Sequence, residues 1–314
     1  MSVKAVFGGA SLNPHGAFKD PEVVKEALEI LQREGVTTLD TARLYPGSEE
    51  TIGKAPGHDK FIIDTKVKGG FQPGSISKDK VLADAQDSLQ LVNVDQLDIL
   101  YIHAPDKTVP IEETLEAFNE LYKKGVFKRF GLSNFSAEQV QEAYDVAKSK
   151  GYPLPAVYQG NYSPVARKLE DLLFPTLRKL GIAFYAYSPL AGGLLTKTKE
   201  DIAAGVGRFN ENAVGGLYNR LYNKPEYLEA LSEWNDIADA EGVSKAELAY
   251  RWVKHHSALK GDKGDGVIFG ASNIKQLEQT AQTLKKGPLS EEAAKKIHQV
   301  WLKVEKVAPI DNFQ

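Results

Sequence analysis

The sequence predicts an α/β fold: a single (β/α)8 TIM barrel over residues 1–314, with a long loop after strand seven and an extra C-terminal helix. Three observations predict it. Eight short apolar or β-branched runs alternate with amphipathic segments of helical period, which indicates a parallel sheet. The βα units are similar in size and no composition break divides the chain, which favours a closed barrel over an open doubly wound sheet. No run is followed by a G-x-G-x-x-G turn.

In chain order, strands are expected at Lys4–Phe7, Thr37–Asp40, Phe61–Lys66, Leu97–His103, Lys128–Leu132, Ala156–Gln159, Ile182–Tyr187 and Val267–Phe269. Between them, Val23, Val24, Ala27, Leu28 and Leu31 share one helical face. So do Val81, Leu82, Ala85 and Leu89, and again Ile111, Leu115, Phe118, Leu121 and Tyr122. Ser136 with Gln139, and Ser244 with Glu247, read as capping boxes. Gly35, Gly125, Gly151 and Gly181 stand where helices end in a left-handed residue. Pro175 makes its helix kink or start late. Gly192–Lys224 is a long Gly- and Asn-rich loop, of the kind that is usually functional or mobile. Helix Ser290–Glu305 precedes a loose end.

Composition narrows the function. With 42% hydrophobic and 26% charged residues the balance is that of a soluble globular protein. Net charge is −3 and no basic stripe or acidic tail exists, which argues against nucleic acid and anionic membranes as partners. There is no cysteine, so disulfides, thiolate catalysis and cysteine-bound metal are excluded. The start, MSVKAVFGGASL, makes a poor signal peptide and no run is long enough to span a bilayer. The expected setting is cytoplasmic, as a monomer or homodimer acting on a small molecule.

Four polar residues carry the chemistry. Asp40, Lys66 and His103 each close an apolar run, and Tyr45 follows the first run closely. In such barrels reactive groups sit at the C-terminal ends of strands, and neighbouring strands are about 4.8 Å apart, so these tips can converge. A Lys ammonium about 4 Å from a phenol favours the phenolate by roughly 4 kcal/mol at an effective dielectric near 20. Asp40 would offset part of that, and the phenol of Tyr45 is expected to titrate nearer neutrality, as a general acid requires. His103 would orient or polarise a carbonyl. Taken singly, each residue has a plainer use: a helix cap, a surface charge, loop packing, a backbone-bonded turn. Four such coincidences at converging positions are improbable. A hydrolase with paired carboxylates would need Asp or Glu at two neighbouring strand ends, and Asp40 alone qualifies.

DTARLYPGSEETIG, TKV, LYIHAPD and KRFGLSNFS resemble, in order, the motifs of the aldo-keto reductase family. VYQGNYSP and YAYSPLAGGLLT are most similar to the branch holding aflatoxin-aldehyde reductases and related fungal enzymes. The resemblance implies a (β/α)8 barrel and metal-free hydride transfer from a nicotinamide, usually NADPH, to an aldehyde or ketone. It implies Tyr45 as general acid, Lys66 as the group that lowers its pKa, Asp40 as the partner of Lys66, and His103 as the substrate-positioning group. Channel β-subunits share the fold and many motifs, so a cofactor-binding regulatory subunit is the alternative.

The same resemblance maps the cofactor. Ser133, Asn134 and Gln159 are placed for a carboxamide, and Tyr187 for stacking on a nicotinamide, though packing also explains Tyr187. Ser188, Leu190, Gly192 and Leu194 belong to a loop whose glycines let backbone amides approach a pyrophosphate, and Lys197 would add charge. Gly270, Ser272, Asn273, Gln276, Gln279 and Thr280 lie at a helix N-terminus suited to phosphate, where Asn273 also reads as a cap. Many relatives carry Arg or Lys where Gln276 stands, and Lys275 is the cation in this first turn. NADPH is expected, with NADH as the alternative. On the substrate side, Tyr218 and Arg220 lie in the long loop, Arg220 resembling an Arg that relatives use for a substrate carboxylate. Arg208 shares that loop, and Phe18, Phe209 and Trp301 are further candidates for pocket walls.

Overall fold

A computed structural model describes residues 2–313 and contains, within them, the closed parallel barrel. The single-domain expectation over 1–314 also takes in Met1 and Gln314, which lie outside the described residues. The strands are β1 Lys4–Gly8, β2 Thr38–Asp40, β3 Ile62–Val67, β4 Leu97–Ile102, β5 Phe127–Ser133, β6 Pro155–Asn161, β7 Ala183–Tyr187 and β8 Gly266–Phe269. Each pairs with the next in chain order, and β8 closes on β1 with Lys4 opposite Gly266. All eight expected strands are present, with bounds shifted by one or two residues.

Alternation along each strand divides the residues between two cores. Outward residues pack under the helices. Inside the barrel, Val6, Ile99, Tyr101, Val157, Ala183, Tyr185 and Ile268 form a separate cluster. Asp40 is in register with Asp64, and Lys66 with Tyr101, so these four share the inner face. Tyr101 lies opposite Gly131, where the β5 register slips. A Cβ at Gly131 would stand 2.2 Å from Tyr101 Cδ1, so a side chain there is incompatible with the ring.

The helices explain themselves locally. In helix Pro21–Arg33 the buried residues are Val24, Ala27, Leu28, Ile30 and Leu31, and in helix Ile111–Lys123 Leu115, Phe118 and Leu121 of the predicted face are buried, Ile111 is half-buried and Tyr122 is exposed. Ser136 and Gln139 form the full capping box of helix Ala137–Lys150. Ser244 caps helix Lys245–His255 through Glu247 N, but the Glu247 carboxylate turns to Arg251 and Lys286 instead of closing a box. Pro175 starts its helix late: a short turn Leu169–Leu172 breaks at Leu173 before helix Phe174–Leu180.

Two regions differ from expectation. The stretch 192–224 carries short helices, including Lys199–Ala203 and Leu217–Tyr222. A Thr198–Asp201 capping box starts the first, Trp234 Nε1 donates to the Leu195 carbonyl at 3.0 Å, and Asn219 Nδ2 donates to the Phe209 carbonyl at 2.7 Å. The described tail, as far as Phe313, is not loose. Lys224 Nζ holds the Val307 carbonyl at 2.8 Å, Asn312 N donates to the Tyr187 hydroxyl at 3.2 Å, and the Phe313 ring meets Phe71. Helix Glu291–Val304 packs on helix Pro225–Glu241 and aims this tail across the barrel mouth.

Candidate active site

The four predicted residues meet at one end of the barrel. β2 ends at Asp40, Lys66 is the penultimate residue of β3, and His103 follows the last residue of β4. Lys66 is fully buried and Asp40 nearly so. Lys66 Nζ donates to Asp40 Oδ2 at 2.7 Å and to the Thr41 carbonyl at 2.7 Å. Gln159 Nε2, two residues before the end of β6, donates to the other oxygen, Asp40 Oδ1, at 2.9 Å. The carboxylate is thereby fixed from both sides. Lys66 Nζ lies 5.3 Å from the centre of the Tyr45 ring, and the Tyr45 and His103 rings meet edge to face at 5.9 Å.

Charge states follow from burial and neighbours. Burial alone would lower the Lys66 pKa, but Asp40, then Tyr45, raise it, so the ammonium persists. His103 titrates well below its ordinary range because it is desolvated and faces Lys66, so its imidazole is neutral. Its Nδ1 is buried without a hydrogen-bond partner. Tyr45 corrects the sequence reading. Its hydroxyl does not titrate nearer neutrality: burial raises its pKa, Lys66 lowers it and Asp40 raises it again, and the balance lies above the ordinary value. Desolvation of a phenolate outweighs one cation that already has a counter-ion.

The residues expected around a nicotinamide are also joined here. Asn134 Nδ2 donates to the His103 carbonyl at 2.9 Å and to Ser133 Oγ at 3.2 Å, and the Tyr187 hydroxyl donates to Asn134 Oδ1 at 2.9 Å. Asn134, Ser188 and Ala191 all have positive φ, 62°, 55° and 50°. Such strain costs on the order of 1–3 kcal/mol per residue and concentrates at ligand sites. Beyond them, Ala191–Thr196 is a tight turn in which Gly193 faces open space. Leu194 is buried, Leu190 is half-buried, and Lys197 offers its carbonyl to Lys245 Nζ at 3.2 Å.

At the end of β8, Gly270, Ser272, Asn273, Gln276 and Gln279 are exposed, and Thr280 is half-buried. Asn273 Oδ1 accepts from Gln276 N at 2.9 Å, and Gln276 Oε1 accepts from Ser272 N at 3.1 Å, so cap and free helix terminus coexist.

Of the other expected residues, Tyr218 and Arg208 act through space on Tyr45, whereas Arg220, Phe18 and Trp301 sit elsewhere. The Tyr218 ring covers Gly192, whose added Cβ would lie 2.0 Å from Tyr218 Cδ1, and its hydroxyl accepts from Arg208 Nη1 at 2.9 Å. Arg220 is exposed, donates to the Gly215 carbonyl at 2.6 Å and, with Phe209, lines a cleft of about 590 Å³ that no member of the tetrad lines. Phe18 is buried against Phe7. Trp301 carries the Arg167 guanidinium 5.6 Å from its ring centre, as packing.

Sequence left four neighbours unassigned: Thr41, which contributes a carbonyl; Phe71, whose ring meets His103 edge-on at 5.2 Å; and the tail residues Asn312 and Phe313. A backbone acceptor and contacts between segments distant in the chain leave no local signal.

A family model described as the aldo/keto reductase family matches residues 4–302. The chain belongs to this family. It is 42% identical over 288 residues to the oxidoreductase sirO of Leptosphaeria maculans, covering 91% of this chain and 87% of that one. An aldo-keto reductase of Pseudocercospora fijiensis is 39% identical over 87% of this chain and 96% of its own. Aflatoxin B1 aldehyde reductase member 2 of Homo sapiens is 38% identical over 91% of this chain and 84% of its own. These aldo-keto reductase relationships support oxidoreduction of carbonyl compounds.

Proposed function

We propose that this aldo-keto reductase is NADPH-dependent and reduces aldehydes and ketones to alcohols, with Tyr45 as the general acid. The observation that carries the reading is the buried Lys66 ammonium, fixed by Asp40 and the Thr41 carbonyl beside the Tyr45 ring. At neutral pH Tyr45 retains its proton, so it is available to a carbonyl oxygen. As charge develops on the phenolic oxygen, the Lys66 cation stabilises it, and the fixed geometry avoids reorganisation. Neutral His103, edge-on to Tyr45, positions that carbonyl oxygen.

The donor set fits a nicotinamide dinucleotide: amides and hydroxyls at Ser133, Asn134 and Gln159, an aromatic face at Tyr187, and an unobstructed glycine at Gly193. Ser188, Leu190, Gly192, Leu194 and Lys197 would border the pyrophosphate, and Gly270, Ser272, Asn273, Gln276, Gln279 and Thr280 the adenosine phosphate. When bound, the cofactor supplies hydride. Kinship with two aflatoxin B1 aldehyde reductases favours an aldehyde as the acceptor.

The test follows NADPH consumption with 4-nitrobenzaldehyde. Tyr45→Phe is expected to abolish turnover while NADPH still quenches protein fluorescence at nearly the same concentration. Undiminished turnover in the variant refutes the assigned acid. NADPH binding with no turnover in the wild type would favour the regulatory reading.

A further inference from the structure

Beneath Lys66 lies a carboxyl group that the chemistry above does not use. Asp64 precedes Lys66 by two residues on β3, so both side chains enter the barrel, and Asp64 is in register with Asp40 on β2. It is fully buried. Its Oδ1 accepts from Ile99 N at 3.2 Å, and its Oδ2 has no hydrogen-bond partner. Two more buried oxygens on the flanking strands share that condition, Thr38 Oγ1 on β2 and the Tyr101 hydroxyl on β4. The Tyr101 ring lies 5.6 Å from Lys66 Nζ. Buried polar groups without a protein partner are costly and call for a reason.

We infer that Asp64 is a positioning residue for the tetrad: its buried carboxyl, two residues before Lys66 on β3 and in register with Asp40, sets how much of the Lys66 charge reaches Tyr45. The inference rests on the reductase reading. While Asp64 is neutral, Lys66 has one counter-ion, Asp40. When Asp64 ionises, a second carboxylate shares that ammonium and Tyr45 becomes a weaker acid.

The surroundings keep the proton on. Burial, then the Asp98 and Asp40 carboxylates, push the Asp64 pKa well above the carboxylate range, against Lys4 and Arg129. From the other strands the facing groups are Lys4 on β1, Asp40 on β2, Asp98 and Tyr101 on β4, Arg129 on β5 and Tyr185 on β7. Arg129 is committed to Asp98 at 2.6 Å and Lys4 sits 6.0 Å from the Tyr185 ring centre, so neither neutralises Asp64 directly.

Two measurements test this. In wild-type protein with carbon-13-labelled aspartate, one side-chain carboxyl is expected to titrate far above the rest, and its resonance to vanish in Asp64→Asn. A wild type in which every carboxyl ionises in the ordinary range overturns the inference without any variant having to fold. In the pH profile of kcat for carbonyl reduction, wild type is expected to lose rate, on the order of tenfold, at the pH where that carboxyl ionises. Asp64→Asn should lack this step and keep only the later one set by Tyr45. Superimposable profiles overturn this inference alone, and absence of turnover in the wild type removes the reductase reading and this inference with it.

Discussion

Replacing Lys66 by Met separates the electrostatic role of the ammonium from its structural one. Its Nζ lies 5.3 Å from the Tyr45 ring centre. At an effective dielectric near 20, a unit charge at that distance is worth about 3 kcal/mol to a phenolate, or roughly two orders of magnitude in rate. Asp40, at 2.7 Å from the ammonium, opposes part of this field, so the expected loss in kcat is about 10- to 100-fold. The same change strands the buried Asp40 carboxylate with only Gln159 as a side-chain partner. Breaking a buried pair from one side typically costs about 3–5 kcal/mol, and the Gln159 bond places this case near the lower value. Adding Asp40→Asn removes the stranded charge, so the double variant should regain much of the lost stability in urea but none of the lost rate. NADPH affinity should fall less than kcat in the single variant. The reasoning fails if Lys66→Met turns over within twofold of the wild type. It also fails if the double variant recovers activity along with stability, because the rate loss would then have been unfolding.

Two further perturbations probe the fold and the cofactor. Gly131→Ala drives a methyl into the Tyr101 ring and should cost about 1–3 kcal/mol in urea unfolding, whereas a stability equal to wild type would show that β5 yields freely there. Gln276→Arg adds a cation beside Lys275 in the first turn of helix Ile274–Thr283 and should tighten NADPH about tenfold with little change for NADH. Equal gains for both nucleotides would place the 2′-phosphate elsewhere.

Much of this site was legible because its residues carry local signals. Asp40, Lys66 and His103 interrupt apolar strands at their C-terminal ends, and barrel geometry brings such ends together. Asp64 carried the same kind of signal, two residues ahead of Lys66 in IIDTK, and period two alone assigns it to the inner face. Phe71, the Asn312–Phe313 tail and the contact of Tyr218 with Gly192 carried none, since each depends on segments far apart in the chain. Arg220 shows the converse: its place in LYNRLY resembles a binding residue, yet the side chain bonds its own loop.

The sequence by itself determined the barrel, its strand order and the identities of the four converging groups, because periodicity of two or of 3.6 and strand-end placement are properties of short segments. Only the tertiary structure decided their protonation and their partners. A phenol's acidity depends on the water it has lost as much as on the cation it has gained, and burial is the outcome of packing by every element around it. That is why Tyr45 moved opposite to the direction its motif implied, and why burial holds the Asp64 pKa well above its ordinary value.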